Sequence, residues 1–163
     1  MTAALTDFVL PLDKPVGPTS HDMVSAARRA LKIRRVGHTG TLDPFASGLM
    51  LVCVNRATRL AEYLTGMDKS YEATIRLDAF TATDDCTGEV IESSDVWTTL
   101  DEARLAEAVH ALTGQQLQLP PKFSAKKLAG ERAYHLARQG LEVNLVPVPI
   151  TVYRMHVRRI ALP

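Results

Sequence analysis

The chain has 163 residues, 46% of them apolar and 23% charged, which excludes a disordered or low-complexity chain. Its longest apolar run, about Leu49 to Val54, falls far short of the roughly 18 residues of a membrane span, and no basic region precedes an apolar one as in a signal peptide. Nineteen Lys and Arg against 18 Asp and Glu leave a charge of +1, and the two cysteines, Cys53 and Cys86, make neither a disulfide framework nor the spacing of a metal site. A soluble, cytoplasmic protein of one domain spanning 1–163 is expected.

In chain order, Phe8–Leu12 reads as a short strand, ended by the turn-rich stretch Asp13-Lys-Pro-Val-Gly-Pro18. Thr19 or Ser20 can then cap a helix with Asp22 in its first turn, and Met23, Val24, Ala27 and Leu31 recur at helical spacing. Arg28, Arg29 and Lys32 follow at its end, where cations suit the helix dipole. Residues 37–48, with three glycines and a proline, read as a loop, and Leu49–Val54 as a buried strand. Asn55 is placed to cap a second helix with Ala57, Leu60, Ala61 and Leu64 inward. Tyr71, Ala73, Ile75 and Leu77 alternate with polar residues, as in a half-buried strand. Thr81–Gly88 reads as a polar loop, Asp101–Leu112 as a third helix followed by Gly114, and Pro120-Pro121 as the start of a loop. Ala133–Arg138 looks helical, and strand-like runs near Val143–Val148 and Ile150–Ile160 close the chain. Strands and helices without a strict βαβ rhythm predict an α+β fold, a mixed, mostly antiparallel sheet with flanking helices.

The +1 is uneven. Residues 1–76 hold 10 basic and 7 acidic side chains (+3), residues 77–107 hold 1 and 9 (−8), and residues 108–163 hold 8 and 2 (+6). Two basic blocks can meet on a polyanion, or the acidic middle simply balances its neighbours. Five basic residues in the eight from Arg28 to Arg35, with Arg34 and Arg35 last, lead into the loop, as a phosphate-binding surface beside a reactive loop does; a solvated helix end has the same sequence. Lys122–Lys127 repeats the pattern.

Within the loop, His38 and Asp43 are the only ionisable groups. Asp43 precedes Pro44, which biases it to extended backbone; such a carboxylate either satisfies nearby amides as a turn former or does chemistry. Its glycines match neither a P-loop nor a dinucleotide fingerprint. Asp84-Asp85 is a solvated acidic loop or a cation site. Tyr71, with Lys69 and Arg76 near it, is half-buried core or a platform for a base.

At Gly37-His-Thr-Gly-Thr-Leu-Asp-Pro44 the chain becomes recognisable: it resembles the TruB family of tRNA pseudouridine synthases. Leu12-Asp-Lys-Pro15 with Gly17 and Thr19-Ser20 is similar to that family's opening motif, and Asp68-Lys-Ser-Tyr-Glu72 to the motif with its active-site tyrosine. Thr81–Gly88, Pro120–Lys127 and Arg132–Gly140 resemble later elements, in the same order from about Leu10 to Tyr153. The resemblance implies an enzyme that isomerises a T-arm uridine of tRNA to pseudouridine, with no cofactor, no metal and no membrane, and a monomer.

By the same resemblance Asp43 would be the catalytic aspartate, and Tyr71 would stack on the target base near the proton lost from C5. His38 would pack against RNA and hold the nucleotide out. Lys14 would support the catalytic loop and is grouped with Arg34, Arg35 and Lys69 as RNA-binding. The sequence departs from the family's pattern at Ala82, usually Asp, and at Phe123, commonly Tyr. Val157–Pro163 stands before the family's Gly-Thr-Tyr-Ile-Arg element, whose arginine pairs with the catalytic aspartate. The implied domain is therefore the N-terminal part of a catalytic domain, without the family's C-terminal PUA domain. Two rival expectations follow: a fragment that binds RNA without catalysis, and a truncated product that folds poorly.

Overall fold

The computed structural model of the chain describes residues 6–119 and 146–161, and the backbone alone at 127–128 and 131–132. The basic stretch Lys122–Lys127, the helical reading of Ala133–Arg138 and the first half of the strand reading of Val143–Val148 therefore lie outside the described side chains. The fold is α+β, with small antiparallel sheets and three α-helices among the described residues. Contacts gather into two compact units, Met1–Ala73 and Thr74–Pro163.

The first unit is a three-stranded antiparallel sheet with a helix on one face. Strand β1 (Phe8–Lys14) and strand β2 (Val36–His38) both pair with the central strand β3 (Gly48–Val54). Period-two alternation turns Met50, Val52 and Val54 to one face, where they meet Val24 and Ala27 of helix α1 (Ser20–Leu31) and Val36 of β2. Phe8, Leu10 and Leu12 close over this core. Fully burying each such side chain contributes about 1.5–3 kcal/mol. Cys53, of opposite parity, is also fully buried, and burial raises its thiol pKa.

Thr19, not Ser20, caps α1. Its Oγ1 accepts from the Asp22 amide at 3.1 Å while the Asp22 carboxylate accepts from Thr19 N at 2.9 Å, a reciprocal capping box. The Thr19 hydroxyl also donates to the Asp22 carboxylate at 2.6 Å, and that bond, with the one from Thr19 N, holds the Asp22 carboxyl below its ordinary value. Lys32 ends the helix with φ 56°, its amide returning to the carbonyls of Arg28 and Arg29.

Four sequence expectations need correction. The loop expected over 37–48 is shorter, because Gly37 and His38 extend β2 and Gly48 opens β3; pairing with Cys53 and Val52 outweighs the glycines. Asn55 does not cap a helix: it takes φ 52° inside a 3₁₀ turn (Asn55–Leu60) that leads into helix α2 (Ala61–Thr65), and its side-chain Nδ2 donates to Thr6 O. The alternation from Tyr71 to Leu77 forms no strand. Residues 68–76 have no regular structure and are exposed, because a strand exists only where a neighbour supplies its backbone partners and none does so among the described residues. The last strand stops at Val152 rather than reaching Ile160.

In the second unit, strands β4 (Ala79–Thr81) and β5 (Val90–Ser93) form a hairpin, and helix α3 (Glu102–Ala111) follows, capped by the Asp101 side chain on Arg104 N at 2.8 Å. Strand β6 (Gly114–Gln118) pairs with strand β9 (Val148–Val152); strands β7 (Lys127–Leu128) and β8 (Glu131–Arg132) pair between them in sequence. Val152 lies opposite Gly114, the first residue of β6, so residues beyond it have no ladder to join.

Asp85 organises the β4–β5 turn. It accepts from Thr83 Oγ1 at 2.7 Å, Thr87 N at 2.8 Å and Thr87 Oγ1 at 2.6 Å, so the loop's polar contacts form despite Ala82. Burial pushes its carboxyl upward, but the bonds from Thr87 and Thr83 outweigh that and hold it below the ordinary range. A Cβ on Gly88 would stand 2.4 Å from Thr83 Oγ1 and 2.9 Å from Thr83 N. Since Asp85 holds that hydroxyl, Gly88→Ala is expected to destabilise the hairpin by roughly 1–3 kcal/mol. Hydrogen exchange across β4 and β5 checks this; unchanged protection would show that the turn yields.

Candidate functional site

The loop 39–47 joins β2 to β3, and neighbouring elements fasten its backbone. Thr39 N donates to Leu51 O at 3.1 Å, and Thr65 Oγ1 of α2 donates to Thr39 O at 2.9 Å. Gly17, at φ 114°, donates its amide to Pro44 O at 2.7 Å; that backbone suits a residue without a Cβ. Ser20 clamps the residue before Asp43: its Oγ donates to Leu42 O at 3.0 Å and accepts from Leu42 N at 2.9 Å. Because Thr19 caps the helix, the Ser20 hydroxyl is left for this task.

Lys14 closes the loop from below. It shares the parity of Phe8, Leu10 and Leu12 on β1, so its side chain enters on the core side of the sheet. It is 0% exposed, and Nζ donates to Ala46 O at 2.6 Å and Pro15 O at 2.9 Å. Among the cations grouped with it as RNA-binding (Arg34, Arg35 and Lys69), which are exposed, Lys14 differs in lying buried under the loop. Its contact with Ala46 O is that of a loop support.

Asp43 is exposed at the crest of this loop. Its backbone carbonyl accepts from Ala46 N at 3.0 Å, closing the turn. Among the described residues its carboxylate takes part in no hydrogen bond and no ion pair. A turn former satisfying nearby amides would use those oxygens; here they are free for a ligand.

The other expected site residues divide. His38 is half-buried on β2 opposite Val52, with Nδ1 buried and lacking a hydrogen-bond partner among the described residues. Tyr71 is 75% exposed in the irregular segment after α2, so its ring is open to stacking and is not core. Lys69 is exposed, but Nζ donates to Thr65 O at 2.7 Å and Met67 O at 2.9 Å, capping the end of α2. Arg35 donates from Nε to Thr58 Oγ1 at 2.9 Å, while Arg34 is exposed beside the end of α1.

Ser20 and Gly17 are the residues whose roles sequence reasoning missed. Their nearest sequence signal was membership of the opening motif with Lys14. Ser20→Ala would leave the Leu42 amide and carbonyl unpaired, at about 1–3 kcal/mol for a buried group. Thermal unfolding is expected to show a loss of that size. A matching reaction-rate loss of at least about tenfold is expected where Asp43 must be held in place, and an unchanged rate would count against the clamp.

The chain matches the model of the TruB family pseudouridylate synthase (N terminal domain) over residues 28–163. The protein named tRNA pseudouridine synthase B of Aquifex aeolicus (strain VF5) is 46% identical over 149 residues, 91% of this chain and 51% of that protein. The protein of the same name from Bacillus subtilis (strain 168) is 47% identical over 148 residues, 91% of this chain and 48% of that one. Among solved structures, a Cbf5-Nop10-Gar1 complex is 26% identical, with a TM-score of 0.49, over 75% of this chain and 31% of that chain. The chain spans about half the length of the curated relatives it matches.

Proposed function

This chain belongs to the TruB family of pseudouridylate synthases, and on that premise we propose that it carries the aspartate that isomerises a T-arm uridine of tRNA to pseudouridine. The observation that carries this reading is the carboxylate of Asp43: exposed and unpartnered among the described residues, on a loop fastened through Lys14, Gly17 and Ser20. A group meant only to stabilise its own turn would be satisfied locally. A group held ready for substrate is left open while its backbone is fixed.

The reaction breaks the bond from ribose to N1, turns the uracil and rejoins it through C5; C5 then loses its proton and N1 gains one, so the product is an isomer of the uridine. Asp43 acts on it as a nucleophile toward the ribose or the uracil ring, or as a base toward a ribose proton. Extruding the uridine costs a few kcal/mol. Stacking on the open ring of Tyr71, worth roughly 1–3 kcal/mol, offsets it, with His38 beside the loop packing against the displaced nucleotide. Lys14 and Ser20 are positioning residues that act through the loop. The setting is the cytoplasm and the working form a monomer.

The test is to incubate the natural gene's full product, and the 163-residue chain beside it, with a tRNA transcript and to map pseudouridine. One new pseudouridine in the T-arm is expected; none from the full product would sink the proposal. One observation favours a second reading, RNA binding without isomerisation: Arg29, Lys32 and Arg34 at the end of α1 are exposed cations close together in the chain. Salt-sensitive tRNA binding with zero turnover by the 163-residue chain alone would select it.

A further inference from the structure

The end of α1 remote from the loop carries a feature that the isomerisation does not use. Arg28, Arg29, Lys32 and Arg34 line one open depression floored by Ile33. Helical spacing puts Arg28 and Arg29 over Lys32, and the left-handed turn at Lys32 brings the chain round so that Arg34 joins the same rim. Arg28 is held in place, its Nη2 donating to Val36 O at 2.7 Å. Arg29, Lys32 and Arg34 are exposed, and none has an ion pair among the described residues.

A helix C-terminus favours cations by only about 0.3–1 kcal/mol each and within its last turn, so it accounts poorly for four around one depression. Mutual repulsion on that rim is relieved when an anion with several charges sits among them. Guanidinium forks fit phosphate oxygens in particular. Arg35, whose Nε is on Thr58, does not line the depression, so the two neighbouring arginines differ in role.

The other end of α1 clamps the catalytic loop through Ser20. From Ser20 to Leu31 the helix rises about 17 Å, so the depression lies well beyond the reacting nucleotide yet within reach of the same RNA stem. We propose that this depression is a sequence-independent docking site for the phosphate backbone of double-helical RNA, holding the substrate at a distance from the uridine that reacts. It rests on the reading of RNA as substrate and names a contact of that substrate away from Asp43.

The test uses the full chain carrying Asp43→Asn, so that binding is read without turnover, with and without Arg29→Gln, Lys32→Asn and Arg34→Gln together. Asn is chosen at Lys32 because it tolerates positive φ. Losing three phosphate contacts is expected to lower the salt slope of tRNA binding by about 2.7, so the affinity lost between roughly 50 and 200 mM salt shrinks by about 40-fold. A second variant, Arg29→Lys with Arg34→Lys, keeps the charge and is expected to keep the slope. An unchanged slope in the triple variant overturns the proposal, as does an equal loss in the lysine variant. A lowered slope in a protein whose Asp43 form makes no pseudouridine would leave this docking site standing and sink the isomerase reading alone.

Discussion

Asp43→Asn is expected to lower pseudouridine formation by at least about 10³-fold while leaving the fold and tRNA binding intact. The substitution is nearly isosteric and keeps an oxygen, but it removes both the nucleophile and the base, and positioned groups of these kinds supply 10²–10⁴-fold or more. The side chain is exposed and unpartnered among the described residues, so stability should move by no more than about 0.5 kcal/mol. Single-turnover formation of pseudouridine, beside a melting curve and a tRNA binding curve, separates these effects. Wild-type rate in the Asn variant would remove Asp43 from the chemistry.

Lys14→Met is expected to cost much activity and little stability. Met has similar length and is apolar, so β1 and the core around Leu12 keep their packing. Ala46 O and Pro15 O each lose a donor, about 1–3 kcal/mol for a buried group. Against this, taking a cationic side chain out of water costs several kcal/mol, and Met relieves it. The two nearly cancel, leaving a net change within about 2 kcal/mol of zero. The loop has no such compensation. A displacement of about 1 Å at Asp43 is enough for a 10²-fold loss in rate. A fall in kcat with unchanged tRNA affinity and a preserved urea midpoint is the expected pattern; a rate that follows only the unfolded fraction would make Lys14 merely structural.

The part of the fold legible in sequence was the part written in local spacing. Val24 and Ala27 recur at helical period behind a Thr-x-x-Asp cap, and β1 and β3 alternate or run apolar, so α1 and the two longer strands emerge within a residue or two. The same logic failed from Tyr71 to Leu77, where the alternation is present but no neighbour among the described residues completes a strand. It failed again past Val152, where β6 runs out at Gly114. A strand is half a ladder, and its other half is written elsewhere in the chain.

The site divides along the same line. The resemblance of the motifs pointed to Asp43, whereas the loop's own residues left its carboxylate open between a turn former and a group that does chemistry. Only tertiary structure decided what holds that carboxylate in place. The Lys14–Ala46 bond spans 32 residues and the Ser20–Leu42 bond 22. Whether a lysine faces water or two carbonyls, and which of two adjacent hydroxyls caps the helix and which clamps the loop, depends on how α1 lies on the sheet. Periods and caps act over about four residues, whereas burial and hydrogen-bond partners are set by whatever the folded chain brings alongside.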